Sequence, residues 1–293
     1  MAKDTDDVTG LFECKGGVSI RQSDCTLTLL RQIGRGSYST CWLVQSHPKN
    51  GSTPPQLQVL KVMKLSPTAD QMFVRETAIH SSLNHAHVVQ FHTWFIHDQV
   101  PMYTMEWCVG GTLSTRVHAE QLDLAEIRAY LTQLLGAVVY LHDAHVVHRD
   151  IKPPNILLSG TNHLKLCDFG LATRWGPCDT RLTKVTGTPN FVAPEVIQRS
   201  KPGYTNLVDC WSLGCTLYYM YKGHSLYPVK RGDRRALYRA IRKNPVPSPP
   251  QRCVGVMHQI LHKLLQKDPA HRLTASDGLQ LLHTSDSPPL AVL

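Results

Sequence analysis

One short stretch of the chain concentrates side chains suited to handling phosphate. His148-Arg149-Asp150-Ile151-Lys152-Pro153-Pro154-Asn155 brings a carboxylate, an ammonium and an amide together, and Asp168-Phe169-Gly170 adds a second carboxylate thirteen residues after Asn155. Phosphoryl transfer needs this set: oxygen ligands for a metal that neutralises phosphate charge, a carboxylate to orient an attacking hydroxyl, and a nearby cation. Lys61 stands in the apolar run Val59-Leu60-Lys61-Val62, where an ammonium is costly unless it meets an anion. Glu76 could supply that anion from a helix, and a lysine snorkelling to water is the simpler alternative. Two glycines, Gly34 and Gly36, lie between strand-like runs in 33–39, where backbone amides could approach phosphates or merely make a tight hairpin. The strand that follows them disfavours a dinucleotide fold, which calls for a helix there.

Such groups act only when a scaffold holds them, and the sequence reads as two regions. From residue 27 to 64 the runs LTLLRQI, STCWLVQ and LQVLKVM alternate with turn chemistry, including Asn50-Gly51 and Pro54-Pro55, and predict a small antiparallel sheet. Residues 71–83 favour a helix, and HVVQFHTWFI and PMYTMEW read as two more strands around a turn near Asp98-Gln99. Beyond Gly110-Gly111 the period becomes helical over 124–142, 208–221, 234–243, 256–266 and 275–283. Residues 1–26 lack clear periodicity and read as an N-terminal extension, weakly structured or docked, and 284–293 as a short C-terminal tail.

At 293 residues and 42% hydrophobic the chain can bury a sizeable core. Its nine cysteines show no CxxC pair or disulfide-framework spacing, which reads as reduced thiols. The first ten residues lack the basic start and apolar stretch of a secretory signal. The longest apolar stretch, around 131–141, falls short of the ~20 residues a membrane span needs, so the expectation is an intracellular protein, cytoplasmic or nuclear, with no membrane partner. A formal charge of +9 admits nucleic acid, an acidic partner or a merely solvated basic face.

Gly34-x-Gly36, Lys61, Glu76, HRDIKPPN, DFG, Ala193-Pro194-Glu195, Asp209 in DCWSLG and Arg272 in DPAHR occur in one order, and with them the sequence resembles the eukaryotic protein kinase family over residues 27–283. GTPNFVAPEV and GHSLYPV look loosely like polo-like and NIMA-related kinases. The resemblance implies an α+β, bilobal fold, with a small β-rich lobe and one regulatory helix over 27–107 and a larger helical lobe over 110–283. It implies ATP and Mg²⁺ as cofactors. ATP would be met by Ile33, Gly34, Arg35, Gly36, Ser37, Tyr38, Ser39, Cys41, Val59, Lys61, Glu76, Met105, Glu106, Cys108 and Leu157. In that likeness Lys61 holds the α- and β-phosphates while paired to Glu76, and Met105-Glu106-Trp107-Cys108 hydrogen-bonds adenine. Asp150 orients the substrate hydroxyl with Lys152 beside it, Asn155 and Asp168 hold Mg²⁺, and Glu195 with Arg272 forms a structural ion pair.

Lys152, two residues after Asp150, is the serine/threonine choice of the family, and Thr188 in Gly187-Thr188-Pro189 agrees with it. Arg149 is the cation that such kinases often neutralise with a phosphate on the activation segment. Thr183 is the first expected acceptor and Thr186 the second, with Thr188 assigned to the substrate platform. Lys184 stands where many relatives carry the phosphorylated threonine and leaves open a route without phosphate. Thr112 and Pro154 replace carboxylates that would recognise arginine before the acceptor, and Val185, Pro189 and Val192 would receive an apolar residue after it. His80, four residues after Glu76, is polar where the family usually has an apolar side chain, so it must find a partner. Two rival readings accompany this one. A scaffold could keep the fold without activity, and the basic run from Arg231 to Arg242 could meet nucleic acid or an acidic docking partner. Nucleic acid is disfavoured because no aromatic stacking platform accompanies the charge.

Overall fold

Alternation along a strand places successive side chains on two faces of the sheet, and the first unit buries a cluster on each. The computed structural model describes residues 19–22, 24–49, 51, 54–176, 181–198, 203–230 and 232–285. They divide into a unit comprising the residues up to 84 with 89–107, and a second comprising 85–88 with those from 108 onward. The first is a six-stranded antiparallel sheet in the order β1-β2-β3-β4-β6-β5, made of β1 (Ser19–Arg21), β2 (Cys25–Arg35), β3 (Ser39–Pro48), β4 (Gln56–Met63), β5 (Phe91–His97) and β6 (Val100–Glu106). On one face Ile20, Leu27, Leu29, Val44, Leu60, Val62, Val100 and Met102 form a buried cluster. A second cluster joins Met63, Phe91 and Tyr103 of the sheet to Ala69 and Phe73 of helix α1 (Pro67–His80). Each fully buried aliphatic side chain is worth about 1.5–3 kcal/mol, so the two clusters are the main source of this unit's cohesion.

The sheet starts earlier than residue 27. Ile20 pairs with Leu27 across β1 and β2 and is buried, so Ser19–Arg21, Cys25 and Thr26 belong to it, while 1–18 lie outside the described residues. Helix α1 also begins before residue 71, because Ser66 caps it by accepting the Ala69 N–H at 3.2 Å and Pro67 suits the first turn. Asp98 and Gln99 turn β5 into β6, both with positive φ, the two-residue hairpin geometry expected at that turn.

The second unit is mainly helical: α2 (Leu113–Ala119), α3 (Leu124–Asp143), α4 (Pro194–Gln198), α5 (Leu207–Lys222), α6 (Arg234–Lys243), α7 (Gly255–Leu264) and α8 (Ala275–Thr284). Two small antiparallel strand pairs accompany them, β7 (Val146–Val147) with β10 (Thr173–Arg174) and β8 (Ile156–Leu158) with β9 (Leu164–Leu166). Helix α3 is longer than the apolar stretch read from the sequence, and by length and composition it could cross a bilayer. Here it is the core helix of its unit, burying Ile127, Leu131, Leu134, Leu135, Val138 and Leu141 and packing on α5 and α8. Gly214 lets α5 approach α7 closely, since a Cβ there would sit 2.8 Å from the Leu265 side chain.

Candidate active site

In the first unit strand register assembles the row of residues that sequence motifs picked out separately. Gly34 pairs with Cys41, Cys41 with Lys61, and Lys61 with Tyr103, and directly opposed residues of an antiparallel sheet share a face. Lys61 Nζ donates to Glu76 Oε1 at 2.7 Å, and both side chains are buried. The snorkelling alternative for Lys61 is thereby set aside. Ile33, Gly34 and Arg35 end β2, Gly36, Ser37 and Tyr38 make the turn, and Ser39 and Cys41 lie on β3. The turn closes through the Gly36 N–H, which donates to the Ser39 carbonyl at 2.8 Å. Val59 faces Met105 across the ladder, and the Glu106 N–H donates to the Gln90 carbonyl at 2.9 Å. His80 is buried and its Nε2 lies 2.7 Å from the Val89 carbonyl, which only accepts, so Nε2 carries the proton and the polar ring has its partner.

In the second unit the loop between β7 and β8 gathers its polar groups around one carboxylate. Asp150 Oδ2 accepts from Lys152 Nζ at 2.7 Å and from Asn155 Nδ2 at 3.0 Å. Asp150 Oδ1 accepts from the Thr188 N–H at 2.9 Å and from its hydroxyl at 2.7 Å, while Lys152 Nζ also donates to Thr188 Oγ1 at 2.7 Å. The result is a buried carboxylate in contact with an ammonium and a hydroxyl, the grouping that a hydroxyl-activating site requires.

Asp209 fixes this loop from beneath. Fully buried on α5, it accepts the His148 N–H at 2.9 Å and the Arg149 N–H at 2.8 Å, and His142 Nε2 lies 3.1 Å away. Burial alone would raise its pKa, yet the hydrogen bonds from His142 and from the Arg149 N–H hold it below the ordinary carboxylate value. His148 bridges in turn: its Nε2 meets the Cys167 carbonyl at 3.1 Å and its Nδ1 accepts the Asp150 N–H at 3.2 Å. Arg149 and Asp168 adopt positive φ, 66° and 65°, a conformation uncommon for residues other than glycine and concentrated at functional sites.

Asn155 spends its amide hydrogens on Asp150, on the main-chain carbonyl at 3.0 Å as well as on the carboxylate, so its Oδ1 is the atom that could ligate a cation. An amide oxygen and the Asp168 carboxylate are the hard oxygen donors that Mg²⁺ prefers, and two protein ligands suffice when phosphate oxygens and water complete the shell. Leu157 lies on β8, paired with Lys165, and Cys108 is buried at the start of this unit. Thr183 is exposed and Thr186 and Thr188 are half-buried. The Arg149 guanidinium donates to the Leu171 carbonyl at 2.8 Å and, at 3.4 Å, to the Tyr204 hydroxyl, which itself donates to the Lys184 carbonyl at 2.7 Å. Tyr204 had no role in the sequence reading, and neither did Tyr103. A hydroxyl inside an apolar strand must be hydrogen-bonded, and that was the available signal for Tyr103.

The sequence profile of the protein kinase domain matches residues 27–283. The chain is 33% identical over 251 residues to the serine/threonine-protein kinase PLK1 of Xenopus laevis, covering 85% of this chain and 41% of that protein. It is 29% identical over 277 residues to the serine/threonine-protein kinase PLK2 of Mus musculus, covering 93% and 37%. A probable serine/threonine-protein kinase CCRP1 of Zea mays shares 32% over 253 residues, covering 85% and 40%. The chain therefore spans about two fifths of the length of these relatives. With the motifs, the bonded groups around Asp150 and the profile in agreement, the chain belongs to the protein kinase family, among its serine/threonine members.

Proposed function

We propose that this chain transfers the γ-phosphate of ATP to serine and threonine hydroxyls of proteins. The observation that carries the reading is the buried Asp150 carboxylate, bonded at once to Lys152, Asn155 and Thr188. Asp150 accepts the hydrogen of the incoming hydroxyl and aims its oxygen, as the Thr188 hydroxyl is aimed here. Lys152 adds positive charge beside that oxygen, where negative charge is redistributed during transfer. Lys61, held by Glu76, binds nucleotide phosphate. Asn155 and Asp168 would hold Mg²⁺, which when bound would neutralise phosphate charge. By the family resemblance, Ile33 to Ser39, Cys41, Val59, Met105 and Glu106 of the first unit would meet the nucleotide, as would Cys108 and Leu157 of the second.

The substrate preference follows from absent charge. With Thr112 capping α2 and Pro154 in the catalytic loop, neither position offers a carboxylate to arginine before the acceptor. Val185 is exposed, Pro189 half-buried and Val192 buried, apolar material for the residue after the acceptor. A degenerate peptide library with Mg²⁺ and labelled ATP tests both levels. Transfer to serine and threonine is expected, with an apolar residue selected after the acceptor. Strong selection for arginine two or three residues before it would refute the specificity, and no transfer at all would favour the scaffold reading.

Helix α6 extends the proposal to a partner. Leu237, Ala240 and Ile241 are buried, while Arg235, Arg239 and Arg242 are exposed on the opposite side, with Arg234 and Lys243 beside them. Arg231 lies outside the described residues. Cations at i and i+4, such as Arg235 with Arg239 and Arg239 with Lys243, repel one another, and no ion pair relieves them among the described residues. An acidic segment of a substrate protein would remove that repulsion and be steered by it. Replacing Arg235, Arg239 and Arg242 by glutamate should raise KM for an acidic protein substrate about tenfold at low salt and leave short-peptide turnover unchanged. Equal KM values before and after replacement would refute the docking role.

A further inference from the structure

The middle of β6 carries a residue that acts on the phosphate-binding lysine without belonging to any kinase motif. Tyr103 is directly opposite Lys61 in the sheet, so both side chains project to the face covered by α1. Its hydroxyl donates to Glu76 Oε1 at 2.9 Å, the same oxygen that accepts from Lys61 Nζ at 2.7 Å. Lys61 Nζ also lies 5.6 Å from the centre of the Tyr103 ring, within range of the ring's negative face. Glu76 is only 1% exposed, and a carboxylate that far from water gains from each added donor.

The ring that aims this hydroxyl is itself locked. Phe91 stacks on Tyr103 with centroids 5.5 Å apart, Phe73 lies against it at 6.5 Å, and His80 meets it edge-on at 6.2 Å. His80 also packs edge-on to Phe91 at 5.4 Å while its Nε2–H is tied to the Val89 carbonyl. The two departures from an apolar interior, His80 and Tyr103, thus belong to one aromatic group. His80 orients it through the main chain, and Tyr103 delivers its hydroxyl to Glu76.

We propose that Tyr103 is a positioning residue for catalysis, fixing the Glu76 carboxylate through its hydroxyl so that Lys61 is presented to nucleotide phosphate in a single orientation. This rests on the reading of Lys61 as the phosphate-binding lysine. A second donor on the shared oxygen confines Glu76 to one rotamer, and a confined carboxylate confines the ammonium it holds. Without the hydroxyl, Glu76 keeps Lys61 but loses its own anchor.

The test is a double-mutant cycle in the full chain. Tyr103→Phe removes only the hydroxyl and should lower kcat/KM for ATP about tenfold, the worth of one hydrogen bond to a charged group, with KM for the peptide within about twofold of the parent. Tyr103→Met, which keeps bulk without a donor, should show the same loss. In a Glu76→Gln background the Tyr103→Phe change should add less than about a twofold effect, because the oxygen it served has lost its charge. Calorimetry with Mg·ADP gives a second readout that needs no phosphoryl transfer, and the affinity is expected to fall in Tyr103→Phe. Unchanged ATP kinetics and ADP affinity in Tyr103→Phe, or equal losses in both backgrounds, would overturn the proposal. Failure of the parent chain to bind Mg·ADP would overturn the reading beneath it.

Discussion

Asp150→Asn is expected to reduce turnover by about 10²–10⁴-fold, the usual worth of a positioned acid–base group, while ATP affinity stays close to the parent. Both oxygens of Asp150 are engaged by donors, with Lys152 and Asn155 on Oδ2 and the Thr188 N–H and hydroxyl on Oδ1. An amide supplies only one accepting oxygen. Its NH₂ must then face either Lys152 and Asn155 or Thr188, donor against donor, so the loop loses its organising charge and the substrate hydroxyl loses its proton acceptor. Lys61 and Glu76, which the proposed function assigns to the nucleotide, are bonded to each other in the other unit and take no part in the Asp150 hydrogen bonds. Steady-state rates with a library-derived peptide, together with calorimetric ATP binding, separate the two effects. A variant that phosphorylates the peptide at the parental rate shows that Asp150 is not the base.

Much of this arrangement is legible in the chain because its decisive chemistry is local. Asp150, Lys152 and Asn155 meet within one turn of backbone, so their spacing alone announces a joint role. Long periodic segments were equally readable, and α6 runs over 234–243 as its pattern required. Other features depend on contacts that no window along the sequence contains. Tyr103 and Glu76 are 27 residues apart, Tyr204 and Lys184 are 20 apart, and Asp209 reaches back 60 residues to Arg149. Strands β7 to β10 have two or three residues each, too short to show a period, and exist through pairing with distant partners. Helix α2 announces itself only by Thr112 and Thr115, which exchange hydrogen bonds as a capping box without the usual glutamate or glutamine. His80 illustrates the opposite case, where sequence posed a question that only packing could answer. A polar ring at an apolar position had to find a partner, and the Val89 carbonyl supplies one.

Loss of the Glu195–Arg272 pair should destabilise the second unit more than any surface exchange. Arg272 donates to Glu195 Oε1 at 2.6 Å and to Oε2 at 2.9 Å, with both residues buried, and its remaining hydrogens go to the carbonyls of Leu207, Gln266 and Lys267. Its guanidinium also lies 5.4 Å from the centre of the Trp211 ring. One side chain therefore ties α4 and the start of α5 to the segment between α7 and α8. Arg272→Ala strands a buried carboxylate and three carbonyls, a change costing about 3–5 kcal/mol, against a total stability of about 5–15 kcal/mol. For a chain of this size that corresponds to a fall in Tm of roughly 10 °C. Lysine should not rescue it, since a single ammonium cannot reproduce the two parallel bonds of the guanidinium. Glu195→Gln should cost less than Arg272→Ala, because the guanidinium it deprives of a carboxylate still keeps one amide oxygen and three carbonyl acceptors. Thermal unfolding followed by circular dichroism ranks the variants, and ATP turnover well below the transition tests whether the loss is one of stability alone. A Tm for Arg272→Ala within about 2 °C of the parent would show that the pair is not what holds these segments together.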